Sequence, residues 1–112
     1  MSGNLNSAKE VLEGAMEALN AKAASIPEGE MRDYTMRLQI CQNALIQNQR
    51  KIWIRTKLGK GMLEKMGSAA EALIDTLKTT TDPAGIEAAL IEVEAQAKEI
   101  EEESRRRDMV VT

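Results

Sequence analysis

The 112-residue sequence predicts an all-α protein, on three observations. Helix formers dominate, while aromatics make up 2% and phenylalanine is absent, which leaves little to favour strands. Apolar residues recur at three–four spacing over long runs, as one face of a helix requires. A sharp interruption, Thr79-Thr80-Thr81-Asp82-Pro83, carries the stop-and-restart chemistry of a helix–helix connection. The expected architecture is a helical hairpin with a long central helix, dimerising into a four-helix bundle, plus a C-terminal helix. The chain divides into a helical domain over 1–78 and an acidic helix and tail over 79–112.

Each element has its own signals. Ser7 and Glu10 form a capping box, and the helix they open runs to about Ala24. Leu5, Leu12 and Leu19 give it a narrow seam beside small residues. Ser25-Ile26-Pro27-Glu28-Gly29 is a connection, with Ser25 and Glu28 as caps and Pro27 in the next first turn. From about Glu30, Met31, Tyr34, Leu38, Cys41, Leu45, Asn48 and Ile52 keep helical spacing, and Met62, Met66, Ala69 and Leu73 resume it. The doubtful point is Gly59-Lys60-Gly61, since each glycine costs about 1 kcal/mol in a helix interior; the expectation is either a tolerated weak spot or a break there. These glycines lack the spacing and preceding strand of a phosphate-binding loop. With a break, a shorter helix follows to about Lys78. Asp82 and Pro83 start the last helix, whose seam is Ile86, Leu90, Val93, Ala97 and Ile100, and whose end is expected to fray.

Composition excludes several chemistries. There is no histidine, and one cysteine allows neither an internal disulfide nor a cysteine zinc site. The acids lie along helical faces with no recognisable pair, so the expectation is no enzyme, no metal, no cofactor and no small-molecule substrate. Seven methionines suit adaptable helix packing. The segment MSGNLNSAKE has no basic stretch leading into an apolar run, and no run reaches membrane-spanning length. A cytoplasmic protein without membrane insertion is expected.

The informative stretch is Cys41–Lys60. From Arg50 to Lys60 it holds Arg50, Lys51, Arg55, Lys57 and Lys60 with no acid, in a chain of net charge −3. At about 100° per residue the central helix shows two apolar stripes, one of Tyr34, Leu38, Leu45, Ile52 and Leu63, the other of Met36, Ile40, Ile54 and Leu58. Two stripes imply two neighbours, one of them a second copy of the same helix. Between them lies a polar strip of Arg37, Cys41, Ala44, Asn48, Lys51 and Arg55, spanning about 27 Å. Arg32, Gln39, Asn43, Arg50 and Lys57 form an outer strip. Such cationic rods suit double-stranded RNA, which proteins read by shape and backbone. The bland alternative is a solvated face that balances the acidic last helix. Trp53 reads as a packing residue, Asn48 as a polar register-setter, and Cys41 as a small residue at a close approach. Arg105, Arg106 and Arg107 read as complements to a helix C-terminus.

The run Cys41-Gln42-Asn43-Ala44-Leu45-Ile46-Gln47-Asn48-Gln49-Arg50, C-x5-Q-x-Q-R, resembles the central helix of the small RNA-silencing suppressors of insect nodaviruses. The layout over roughly 5–75, with Arg32-Asp33 near the start of the long helix, is similar too. The resemblance implies a homodimeric bundle that binds double-stranded RNA without reading sequence and shields it from dicing and loading. It implies contacts from Arg37, Cys41, Asn48, Lys51 and Arg55, with Arg50 and Lys57 outside them. Ala44 stands where a basic contact is expected, and Gly59/Gly61 depart from a continuous helix. The alternative function is a self-assembling helical scaffold or adaptor that meets an acidic protein or an anionic membrane surface.

Overall fold

In a computed structural model, residues 4–80 and 82–111 are described, with side chains for 5–80 and 82–108. Four α-helices make up almost all of this: α1 Asn4–Ala21, α2 Glu28–Asn48, α3 Lys57–Thr79 and α4 Pro83–Val111. Short 3-10 turns cover Ala23–Ser25 and Ile52–Arg55, and there is no strand among the described residues. The all-helical expectation holds.

The helix boundaries follow local chemistry. α1 begins at Asn4, a turn before Ser7, so the Ser7–Glu10 pair lies inside the helix and does not open it. Pro27 is the residue before α2, and its carbonyl accepts from the Met31 amide at 2.9 Å. Glu28 and Glu30 in that first turn complement the dipole. Asp82 and Pro83 start α4 as expected: Asp82 Oδ1 accepts from the Ala84 amide at 3.3 Å. Thr81 and the expected fraying after Asp108 lie outside the described side chains.

The long central helix is the main correction. α2 stops at Asn48, Lys51 is extended (φ −75°, ψ 136°), and α3 begins afresh at Lys57. Three groups make the break. The Asn48 side chain donates back to the Ala44 carbonyl at 2.8 Å, competing locally with helix continuation. Trp53 and Ile54 are buried, 5% and 1% exposed, and pull the turn into the end of the core. Thr56 then caps α3, its Oγ accepting from the Gly59 amide and donating to the Trp53 carbonyl at 2.6 Å. Gly59 and Gly61 sit inside an unbroken helix. Gly59 is required for close approach: a Cβ there would lie 2.5 Å from the carbonyl oxygens of Trp53 and Ile54.

One core unites all four helices, from Ala8, Leu12, Ala15 and Leu19 to Ile86, Leu90, Val93, Ala97 and Ile100. The acidic helix is therefore packed into the same core as residues 4–79. α1 packs on α3, α3 on α4, α4 on α2, and α2 on α1, leaving α2 and α3 on a diagonal. Residues 49–56 cross that diagonal and close one end of the bundle.

Candidate functional site

The polar strip of α2 is real as a face, and α4 covers it. Arg37, 19% exposed, donates from Nε and Nη2 to Glu94 at 2.9 and 2.8 Å, and to both Glu87 carboxylate oxygens at 2.8 Å. Asp33 accepts a further bond at 3.1 Å. These carboxylates make the guanidinium hold its proton more tightly than usual, and Arg37 in turn lowers the Glu87 pKa. Cys41, Ala44 and Asn48 are buried at 0%, 1% and 4% exposure. Burial pushes the Cys41 thiol up to about 12, so it is no thiolate nucleophile at neutral pH. Lys51 donates to Ser104 at 3.1 Å and to Asp108 at 3.0 Å.

The sequence carried a signal for this cover. Glu87, Glu94, Glu101 and Asp108 recur every seven residues on α4, and Arg37 and Lys51 are fourteen apart on α2. Matching these two rows requires parallel helices, as the Arg37–Glu87/Glu94 and Lys51–Asp108 pairs show. The cover is not a loose flap. Ile86, Leu90, Val93 and Ile100 are each at most 1% exposed, and burying four such side chains is worth about 8 kcal/mol. That is comparable to the whole stability of a small domain, about 5–15 kcal/mol.

The remaining predicted site residues lie at the bundle end. Arg50, Arg55 and Lys57 are exposed, as is Lys60, and no ion pair engages any of them among the described residues. They belong to a longer pattern: from Tyr34 to Leu63 the chain has no acid and six cations. Ile52 stands among them 81% exposed, and Leu58 48% exposed. The corner is anchored from behind. Trp53 lies under Arg107, whose guanidinium is 5.5 Å from the ring centroid, and Arg107 is held by the buried Glu103 at 2.7 Å. Arg106 pairs with the same carboxylate. Thus Arg106 and Arg107 act in an ion-pair cluster at the end of α4.

The outer strip faces solvent. Gln39 and Asn43 are exposed, Arg32 pairs with Glu28 at 3.5 Å, and Met36, Ile40 and Ile46 are 56%, 55% and 48% exposed. The second apolar stripe divides: Ile54 enters the core, while Met36, Ile40 and Leu58 stay outside. No group of three or more metal-ligating side chains occurs among the described residues. None of the described helices is long and apolar enough to cross a membrane.

No protein-family model, curated protein or solved structure matches the chain.

Proposed function

We propose that this chain is a non-catalytic helical adaptor that docks by charge on an anionic surface through the bundle end bearing Arg50, Arg55, Lys57 and Lys60. The observation that carries the reading is their exposure without ion-pair partners among the described residues, in a chain whose other central cations, Arg37 and Lys51, are engaged by α4. Self-association belongs to the same reading. Its support is Met36 and Ile40, one turn apart and both exposed on the solvent side of α2, apolar surface that a second copy would cover.

Duplex RNA is the second reading, favoured by the acid-free stretch from Tyr34 to Leu63, which suits a polyanion over a mixed-charge protein face. In that form the module shields duplex RNA from the proteins that cut or load it, with contacts from Arg50, Arg55 and Lys57 in place of the α2 strip.

The test is binding to a set of polyanions, including duplex RNA and anionic vesicles, across a salt series. Wild-type protein binds with affinity that falls steeply with salt. Arg55→Glu with Lys57→Glu abolishes binding while leaving the helical fold intact. Unchanged binding in that double variant would sink the reading.

A further inference from the structure

Resting on the charge-docking reading, we propose that the anionic surface is a lipid bilayer and that Ile52 enters its interfacial layer. The turn Ile52–Arg55 contains three large apolar residues that the fold treats differently. Trp53 and Ile54 fill the end of the core, and Ile52 is held out in solvent at 81% exposure, the highest of the exposed large apolar residues among the described ones. Leu58, one residue after Lys57, is 48% exposed. Both lie within a segment whose other outward side chains include Arg50, Arg55, Lys57 and Lys60.

The combination selects the partner class. A phosphate backbone gives the cations what they need, but it offers an aliphatic side chain only a hydrated, charged surface. An anionic bilayer offers both, headgroup charge to the cations and an acyl boundary to the isoleucine and leucine. Attachment is peripheral, since none of the described helices is long and apolar enough to cross a membrane. The turn is also built to present a fixed tip. The Thr56 cap, the buried Trp53 and Ile54, and the close backbone contact at Gly59 hold the segment from within.

The experiment is flotation of the full chain with phosphatidylcholine vesicles, with or without phosphatidylserine, alongside titration with a short RNA duplex. Wild-type protein floats only with the phosphatidylserine vesicles. Ile52→Ser weakens vesicle binding about tenfold, leaves any RNA affinity unchanged, and keeps its melting temperature because the side chain is exposed; Ile52→Leu behaves as wild type. Each cation neutralised near the corner weakens vesicle binding about fivefold. Vesicle binding that is indifferent to Ile52 or to phosphatidylserine overturns the bilayer proposal. Duplex RNA bound while vesicles are ignored overturns it too, yet leaves charge docking standing. Binding to neither overturns both.

Discussion

Arg37 shows how a residue can be placed correctly and assigned wrongly to its neighbours. Its helical angle puts it on one line with Cys41, Ala44 and Asn48, and that line exists. What helical angle alone does not give is the element lying across it, which depended on reading the acids of α4 as a matching row. Replacing Arg37 by alanine leaves the carboxylates of Glu87, Glu94 and Asp33 without their shared partner, and should lower stability by about 2 kcal/mol in a denaturant titration. The pH dependence has a definite sign. The Glu87 pKa is lowered in the fold from its ordinary 4.5, so its contribution is present above that value and lost as pH falls through the lowered one. Thermal melts should therefore show a falling midpoint below about pH 4.5 that is shallower in Arg37→Met. Cys41, buried with its thiol pushed up to about 12, should react with a thiol reagent only as fast as the protein opens, and rapidly once unfolded.

Among the elements, Gly59 and Gly61 separate two meanings of one residue type. Both looked like weak points because propensity counts only the backbone's freedom. Gly59 is fixed by contact with the corner, where a Cβ meets two carbonyl oxygens, whereas a Cβ at Gly61 meets nothing within 4 Å. Gly61→Ala should stabilise by about 1 kcal/mol, and Gly59→Ala should destabilise, with both read from denaturation midpoints. The end of α2 was hard to see because Ile52 continues the helical spacing and no glycine or proline marks it. The available signal was Thr56, a good N-cap, without the acidic partner that makes a capping box. Lys57 opens α3 with the charge the helix dipole disfavours. Lys57→Glu should raise the melting temperature, by a contribution of about 0.5 kcal/mol, and at the same time weaken anion binding. A substitution that helps the fold and harms the binding would mark Lys57 as a residue kept for its surface.

At the scale of the molecule, the four helices form a rod of 48 × 28 × 18 Å with its charge unevenly shared. The end closed by residues 49–56 carries the exposed cations Arg50, Arg55, Lys57 and Lys60 and the arginines of α4, while Glu28, Glu30 and Asp33 open α2 at the other. Helical character, the order of the segments and the seam of α4 were legible from spacing and from the Asp82-Pro83 restart, whereas the break between α2 and α3 was not. The place of α4 was not, because a lone amphipathic helix announces that it is covered without naming what covers it. If self-association runs over the outer face of α2, Ile40→Asp should shift the protein to monomer in sedimentation without unfolding it, since Ile40 is 55% exposed. The crossing of the diagonal has a consequence for recognition itself. A tip wedged by Trp53 and Ile54 has already given up its chain entropy during folding, so a partner that meets it need not order a loop. Association at this end should then behave as a rigid-body encounter, with its rate set by long-range attraction and ionic strength and little altered by solvent viscosity beyond the effect on diffusion.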